Sequence, residues 1–316
     1  MNILLCGQFE AAELHAWRRS LHAALPDVRW LDREQALACT EAVPVAVVAN
    51  PGPGSLRGVP GLRLIQSLWA GVDRLLADPT LPAGVPIARM VDPAMNAAMA
   101  ETALWATLAL HRGFFANALA QRSALWQQQE QRRADALKVL VLGLGQMGQA
   151  AARAIASHGY RVAGFGLHAR EDSSALAGIH CHHGPAALAA LLPDSHIVIN
   201  LLPLTAATRG LLNARLFARL PRGACIVNLA RGAHLIDDDL LAALDSGQLG
   251  HAVLDVFHTE PLPAEHAFWR HPRVTVLPHV AAQTDPDSAA QVVARNVNAL
   301  RQGQALAHLV QLDRGY

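Results

Sequence analysis

The sequence predicts an α/β protein made of two doubly wound, parallel-sheet domains. Short apolar runs alternate with helical patterns from end to end, and this alternation is typical of parallel strands covered by helices. A chain of 316 residues is long for one domain and suits two. Its composition is 52% hydrophobic and 16% charged, which supplies enough apolar side chains for two cores.

The first third of the chain predicts four strands with helices between them. A helix at residues 11–25 follows the first strand, and the Asn-Pro-Gly-Pro-Gly sequence at 50–54 marks a turn directly after another strand. A long helix is expected at about 94–118, followed by a polar connection at 127–135. The four strands are expected at residues 2–6, 45–49, 62–68 and 86–90.

A second and more regular series of strands follows. Helices are expected at 146–157 and 237–245, and a last helix at 286–302 is long enough to cross back towards the first domain. The pattern therefore predicts one domain of residues 1–96 with 290–316 and another of residues 97–289. The six strands of this series are expected at 138–142, 161–165, 196–201, 225–229, 252–256 and 274–277.

The charge balance and the cysteines exclude several classes of protein. Lys and Arg number 26 against 25 Asp and Glu, so the basic excess typical of proteins that bind nucleic acid or anionic membranes is missing. The N-terminus lacks the cationic start of a signal peptide, and no apolar run is long enough to span a membrane. The four cysteines have no C-x-x-C spacing. We expect a soluble cytoplasmic protein without nucleic-acid or membrane partners.

A glycine turn indicates a dinucleotide site in the second domain. An apolar strand runs directly into Gly143-Leu-Gly145-Gln146-Met147-Gly148, and a helix follows at once. The first glycine permits the tight turn, the second lets the backbone approach a pyrophosphate, and the third allows close packing of helix on strand. The flanking strand and helix are the context that this motif requires, so a Rossmann-like nucleotide domain is expected.

Three polar residues further along have the chemistry needed for hydride transfer to a carbonyl. Arg231, Glu260 and His279 each stand just beyond the carboxyl end of a predicted strand, where open α/β sheets place ligand contacts. An arginine fork can hold a carboxylate and polarise a neighbouring keto oxygen. A histidine can donate the proton as hydride arrives, and an adjacent carboxylate keeps it protonated near neutral pH.

Together these segments resemble the D-isomer-specific 2-hydroxyacid dehydrogenase family, and most closely its bacterial glyoxylate/hydroxypyruvate reductase A branch. The resemblance spans nearly the whole chain. It implies reduction of a small 2-keto acid to the D-2-hydroxy acid in a cleft between the two domains. It also implies Arg231, Glu260 and His279 as the catalytic residues, and a homodimer formed through residues 94–126.

The resemblance also assigns the binding residues. The loop at 67–73 resembles the substrate loop, in which the backbone of Trp69, Ala70 and Gly71 would hold the substrate carboxylate together with Arg231. Asn228 matches the residue two positions before the catalytic Ala-Arg pair. Beyond the glycine turn, cofactor contacts are expected at His168, Arg170, Leu202, Pro203, Thr208, Leu229, Ala230, Arg231, Asp255, His279 and Ala281.

Two positions depart from the family pattern and leave the substrate open. Many members have glycine where this chain has Trp69, and the reductase A branch often has an aromatic residue where this chain has Ala49-Asn50. The choice among glyoxylate, hydroxypyruvate and larger 2-keto acids therefore stays open. So does the choice between Trp69 as a wall of the substrate pocket and Trp69 as a core residue.

The residues after the second strand of the nucleotide domain predict the cofactor. Sites that prefer NAD carry Asp or Glu there, where it accepts both ribose hydroxyls. This chain has no carboxylate at that strand end, and His168 and Arg170 could donate to a 2′-phosphate instead. We therefore expect NADPH as the preferred cofactor, with NAD as a possible one.

Two other interpretations remain, and one tempting site is discounted. A nucleotide-sensing regulator of the same fold without significant turnover is the alternative from another class, and a biosynthetic phosphoglycerate dehydrogenase is a third option. The run at 180–183, His-Cys-His-His, has metal-ligand residue types. Neighbours on an extended segment point to opposite faces, so at most two of the four could converge, and no metal site is expected.

Overall fold

The computed structural model describes residues 1–168, 176, 179–312 and 315. Within these residues, the ten helices α1–α10 are Ala11–Ala24, Arg33–Ala38, Asp73–Leu76, Pro93–His111, Phe114–Arg122, Gln146–Ser157, Pro185–Leu191, Ala214–Phe217, Asp237–Asp245 and Pro286–Arg301. The twelve strands β1–β12 are Asn2–Gly7, Arg29–Leu31, Val45–Ala49, Leu64–Ser67, Ile87–Ala88, Lys138–Leu142, Arg161–Gly166, His180–His183, Ile197–Asn200, Ala224–Asn228, Leu249–Leu254 and Val274–Val276.

The chain divides into two compact units. The first comprises residues 1–95 with 284–316, and the second comprises residues 96–283. Each unit holds one sheet in which the paired strands all run parallel, so the predicted α/β class with two parallel sheets is confirmed.

In the first unit, five parallel strands lie in the order β2-β1-β3-β4-β5. Every residue of β3 is buried, and so is every residue of β4, because helices cover a parallel sheet on both faces. α1 and α10 pack against each other on this sheet. The loop that follows β4 begins at Leu68 and carries the predicted substrate residues.

In the second unit, seven parallel strands lie in the order β12-β11-β10-β9-β6-β7-β8. The strand order reverses between β6 and β9, and open α/β sheets bind ligands beyond the carboxyl ends of the strands at such a point. Both faces of the sheet are packed. Leu140, Val198 and Ile226 belong to the core on one face, while their neighbours Val139 and Val227 belong to the core on the other. This explains the continuous apolar runs in the sequence.

The prediction of one long helix at 94–118 is wrong, because the structure contains two helices there. α4 ends at His111, and Gly113 has φ +67°, in the left-handed region that glycine adopts at little cost. α5 then starts at Phe114. The short strands β2 and β8 were not expected as separate elements. In the described part of the chain, no helix combines the length and the apolar character needed to cross a membrane.

Candidate active site

The glycine turn lies at the switch point of the larger sheet and leaves an open space over one glycine. Gly143 has φ +96°, and its amide donates to the Phe165 carbonyl oxygen at 2.7 Å. A Cβ on Gly143 would meet the Leu201 backbone, and a Cβ on Gly148 would meet the carbonyl oxygen of Gly143. A Cβ on Gly145 would meet no atom within 4 Å. Two of the three glycines therefore serve close packing, and the third leaves room for a ligand.

The first turn of α6 faces this open space without a side-chain cap. Gly145 is its N-cap residue and carries no side chain that could bond to the first amides. The first N–H groups of a helix have no partner within it, and the helix dipole favours an anion at this end. The backbone amides of Gln146, Met147 and Gly148 are therefore suited to a pyrophosphate.

Two buried asparagines join the strand ends next to this turn. Asn200 ends β9 and Asn228 ends β10, and both are completely buried. The Asn200 amide nitrogen donates to the Asn228 amide oxygen at 3.0 Å, and the Leu202 backbone N–H bonds to the Asn200 oxygen at 3.3 Å. The pair fixes the start of the two loops that leave the sheet here.

The loop after β10 places Arg231 through backbone contacts. The side-chain nitrogen of Asn228 donates to the Arg231 carbonyl oxygen at 3.0 Å, and the Ala230 N–H bonds to the Asn228 side-chain oxygen at 3.3 Å. The Arg231 guanidinium donates to the Ala230 carbonyl at 2.7 Å. Leu229 and Ala230 are buried, whereas Arg231 is partly exposed. The guanidinium therefore extends from a backbone segment that is fixed by hydrogen bonds.

The loop after β9 is stabilised from inside by Thr208. Its hydroxyl donates to the Pro203 carbonyl at 2.7 Å, and the Thr205 N–H donates to that hydroxyl at 2.9 Å. Thr208 is completely buried, and Leu202 is nearly so. These two buried side chains set the shape of the loop. A cofactor could contact this loop through its backbone or through the partly exposed Pro203.

His279 and Glu260 form a direct hydrogen-bonded pair. His279 Nδ1 lies 2.7 Å from Glu260 Oε2, and the other carboxylate oxygen accepts the Phe257 N–H at 2.9 Å. The His279 side chain is 52% exposed and the Glu260 side chain 25%, so the pair is open to a ligand on the histidine side. Since Nδ1 faces the carboxylate, Nε2 is the nitrogen left to act on a substrate.

A buried aspartate holds the backbone around His279. Asp255 follows β11 and accepts the N–H groups of Val280 and Ala281 at 2.7 and 3.0 Å. These contacts fix a segment in which His279 has φ +55°, an uncommon value for a residue other than glycine. Burial raises the pKa of the Asp255 carboxyl above its usual range, against the opposing effect of the two backbone N–H groups.

The three candidate catalytic residues leave from neighbouring strands of one sheet. Arg231 follows β10, Glu260 lies in the segment after β11, and His279 lies just after β12. These strands are adjacent in the order β12-β11-β10. Parallel strands deliver their carboxyl ends to one edge, so the second unit carries the glycine turn and all three residues along the same edge.

The predicted substrate loop lies in the first unit. The Trp69 N–H donates to the Ser67 hydroxyl oxygen at 3.0 Å, and that hydroxyl donates back to the Trp69 carbonyl at 3.0 Å. The Trp69 ring contacts the buried Trp17 edge to face, with ring centroids 6.1 Å apart. Because the Trp69 N–H is engaged by Ser67, the N–H groups of Ala70 and Gly71 are the ones suited to a carboxylate.

Two cofactor candidates follow β7, and two buried polar residues near the site were not predicted. His168 is exposed just after β7, while Arg170 lies outside the described residues. Residues 166–168 contain no carboxylate.

Neither Asn200 nor the buried His234 was predicted from the sequence, since neither belongs to a recognised motif. The one signal for His234 was its position three residues after Arg231.

The fold and the site define a nicotinamide-dependent dehydrogenase. The D-isomer specific 2-hydroxyacid dehydrogenase NAD-binding domain matches residues 104–281. Over 100% of both chains, the sequence is 39% identical to glyoxylate/hydroxypyruvate reductase A of Serratia proteamaculans. The chain belongs to the D-isomer-specific 2-hydroxyacid dehydrogenase family and is an NAD(P)-dependent oxidoreductase.

Two solved structures are similar over almost the full length. A D-isomer specific 2-hydroxyacid dehydrogenase from Xanthobacter autotrophicus Py2, in complex with NADPH and MES, has a TM-score of 0.91 at 36% identity, with 99% of each chain covered. An NADPH-dependent glyoxylate/hydroxypyruvate reductase from Sinorhizobium meliloti, in complex with NADP and sulfate, has a TM-score of 0.89 at 32% identity. This match covers 100% of the present chain and 99% of the other. The resemblance stated from the sequence is confirmed.

Proposed function

We propose that this protein reduces a small 2-keto acid of the glyoxylate or hydroxypyruvate type to the D-2-hydroxy acid, with NADPH as the preferred reductant. The observation that carries the proposal is the 2.7 Å contact of His279 with Glu260 on the sheet edge that also holds the open glycine turn. The proposed D configuration of the product is supported by membership of the family. Relatives named as reductases favour turnover over the alternative of a nucleotide-sensing regulator.

His279 is the proposed proton donor. Its Nδ1 is held by the Glu260 carboxylate, so Nε2 is directed to the keto oxygen and donates a proton to it as the hydride adds to C2. The contact with Glu260 also fixes the orientation of the imidazole. Glu260 is held in turn by the Phe257 N–H, which keeps one oxygen aimed at the ring.

Arg231 and the substrate loop are proposed to bind the carboxylate of the substrate. The planar guanidinium can donate two parallel hydrogen bonds, one of which can reach the keto oxygen and polarise it. The N–H groups of Ala70 and Gly71 supply further donors. Trp69 is proposed to be a wall of the substrate pocket, and its contact with Trp17 holds the indole in one orientation.

The residues around the glycine turn fit a dinucleotide. The space over Gly145 and the uncapped start of α6 suit the pyrophosphate, and the absence of a carboxylate at 166–168 removes the group that would repel a 2′-phosphate. His168 and Arg170 are the proposed donors to that phosphate. When bound, NADPH supplies the hydride. Other proposed cofactor contacts are Leu202, Pro203, Thr208, Leu229, Ala230, Arg231, Asp255, His279 and Ala281.

We also propose a homodimer formed through α4, α5 and the residues that follow. Trp105, Phe114, Leu125 and Trp126 are exposed by 42%, 56%, 60% and 95%. The exposure of four large apolar side chains within 22 positions supports an interface in this region, because exposed apolar patches mark interaction sites. The sequence resemblance implies that a second copy of the chain binds this region.

The compartment expected for the protein is the cytoplasm.

Steady-state kinetics with a panel of 2-keto acids tests the function. Wild-type protein is expected to reduce glyoxylate or hydroxypyruvate with a kcat/KM at least about tenfold higher for NADPH than for NADH. Arg231→Lys is expected to raise KM and lower kcat, because the ammonium keeps the charge but loses the two-donor fork. No turnover of any keto acid, together with tight NADPH binding, would favour the regulator.

A second variant separates the cofactor from its proposed phosphate contact. Arg170→Ala is expected to reduce the preference for NADPH. A preference that survives this change would keep NADPH as the cofactor and place the contact elsewhere. Equal efficiencies with the two cofactors in the wild type would contradict the assignment of NADPH.

A further inference from the structure

We propose that His234 is a positioning residue. It joins Arg231, the proposed substrate-binding arginine, to the loop after β9, which is proposed to contact the cofactor. The inference rests on the proposed function, since it assigns a structural task within that site. His234 is completely buried and lies in the short segment directly after Arg231. No motif marks it, and the proposed catalytic steps do not use it.

The two ring nitrogens of His234 face two different loops. Nδ1 lies 3.1 Å from the carbonyl oxygen of Arg231, and Nε2 lies 3.3 Å from the carbonyl oxygen of Pro203. A carbonyl oxygen only accepts, so each contact is a hydrogen bond when that nitrogen carries a proton. The doubly protonated ring would make both bonds at once. One side chain thus spans the loop after β9 and the loop after β10.

Each carbonyl belongs to a residue with a proposed task. The Arg231 carbonyl also accepts from the side chain of Asn228, so two side chains fix the backbone from which the guanidinium extends. The Pro203 carbonyl also accepts from the Thr208 hydroxyl, which shapes the loop proposed to pass the cofactor. His234 is the member common to both arrangements. Because the ring is rigid and buried, a movement of one loop would displace the other loop through it.

Three substitutions separate the two contacts. In His234→Asn, the amide nitrogen can take the place of Nδ1 and keep the bond to Arg231. In His234→Gln, the amide nitrogen can take the place of Nε2 and keep the bond to Pro203. His234→Leu fills a similar volume and makes neither bond. The control is His196→Leu, since His196 is a partly buried histidine that precedes β9, at the opposite end of the sheet from the two loops.

Equilibrium binding reads out each contact without turnover. The Kd of NADPH would be measured by titration calorimetry, and then the Kd of oxamate, an unreactive 2-keto acid analogue, on the protein saturated with NADPH. His234→Leu is expected to weaken both by about five- to tenfold, the usual effect of losing one buried hydrogen bond. The Asn variant is expected to recover oxamate affinity alone, and the Gln variant NADPH affinity alone. Thermal melting of each variant identifies any that fails to fold.

The outcomes distinguish this inference from the proposed function. If wild type binds both ligands and reduces keto acids while all three His234 variants bind them normally, His234 has no positioning role. If the Asn and Gln variants lose both affinities to the same extent as Leu, the ring contributes only packing and the inference is wrong. If the wild type itself binds neither NADPH nor oxamate, the proposed function fails and the inference fails with it.

Discussion

His279 combines an uncommon backbone conformation with an exposed ring, and both features agree with a role at the reacting atoms. Its φ of +55° is held by the hydrogen bonds of the next two residues to Asp255. His279→Ala should lower kcat by roughly 10²–10⁴-fold, because proton donation is lost, and should change the Kd of NADPH far less, because the other proposed cofactor contacts remain. Kinetics and fluorescence titration check the two parts.

His158→Ala is the matched control for that substitution. His158 is an exposed histidine of the same unit, just after the end of α6. Its loss should change neither kcat nor the Kd of NADPH. Turnover of the His279→Ala variant close to that of the wild type would remove His279 from the proposed mechanism.

Glu260 acts on the reaction through the charge that it places 2.7 Å from the ring. Glu260→Gln keeps an acceptor for the Phe257 N–H but replaces the charged contact with Nδ1 by a neutral one, so the ring is held less firmly in the orientation that proton donation needs. We expect kcat to fall by about 10- to 100-fold, while the Kd of NADPH changes little. Steady-state kinetics and NADPH titration measure the two parts. A kcat equal to that of the wild type would mean that Glu260 does not position His279.

For single residues, the sequence predicted which side chains belong to the candidate site better than it predicted their contacts. Arg231, Glu260 and His279 could be selected because each follows a predicted strand and carries a group that hydride transfer needs. The Ser67 bonds to Trp69, and the position of His234 between two carbonyls, could not be predicted. They depend on loop paths that no short motif determines. The roles of all these residues stay predictions until variants are measured.

The turn between β6 and α6 offers a matched pair of glycines. A Cβ on Gly145 would meet no atom within 4 Å and its φ of −64° suits any residue, whereas a Cβ on Gly148 would run into the Gly143 carbonyl. Gly145→Ala should therefore fold with a nearly unchanged melting temperature and yet lose at least about tenfold in NADPH affinity, because the methyl group takes space meant for the pyrophosphate.

Gly148→Ala should instead lower the melting temperature, since α6 must move away from the strand. Differential scanning calorimetry and NADPH titration of both variants check the pair. Unchanged NADPH affinity in Gly145→Ala would show that the open space is not where the cofactor binds.

β11 carries a histidine whose titration should make stability depend on pH. Burial lowers the pKa of His251 to about 4, helped by the charges of His271 and Arg273, and its ring stacks on Phe115 with centroids 4.5 Å apart. Between pH 6.5 and 4 the unfolded chain takes up a proton at this residue that the folded protein does not. Lowering the pH through this range should therefore destabilise the wild type.

The size of this effect comes from a comparison with His251→Gln, which does not titrate. The free energy of unfolding should fall further in the wild type than in the variant, by on the order of 3 kcal/mol between pH 7 and 4. Urea denaturation at several pH values measures the difference. His158→Gln is the control and should follow the wild type. Parallel curves for wild type and His251→Gln would contradict the assignment.

At the scale of elements the sequence was most informative where apolar runs are long. The six strands expected for the second unit are all present within about three residues at their ends, because strands buried on both faces read as continuous apolar segments. β2 has three residues and β8 is mostly histidine, so neither has such a run. The break at Gly113 was hidden inside a helix-favouring sequence, where one glycine is often tolerated.

For the whole molecule, the alternation of strand and helix was enough to predict two parallel sheets. Each βαβ unit needs a crossover helix, and this requirement leaves few other architectures for such a pattern. The net charge of +1 likewise argued against nucleic acid as a partner. Assembly is harder to read from sequence, because an exposed apolar side chain looks the same as a buried one until the fold is known.

Assembly is therefore the property of the whole molecule that most needs a measurement. Trp126 exposes 95% of its surface, and Phe114 exposes 56%. Burying such side chains against a second copy is favourable by about 25 cal/mol for each Å² of apolar surface removed from water. The protein should therefore elute and scatter light as a species of twice the 33.7 kDa chain mass.

The double variant Phe114→Asp with Trp126→Asp should shift this species to the monomer at micromolar concentration, because two charges would have to be buried in the interface. Leu37→Asp is the matched control, since Leu37 is 40% exposed on α2 in the other unit and should leave the dimer intact. Light scattering coupled to size-exclusion chromatography distinguishes the species. A wild type that stays monomeric over the concentration range would contradict the dimer. A double variant that remains dimeric would move the interface away from this patch, because a dimer that tolerates two new carboxylates there does not bury those positions.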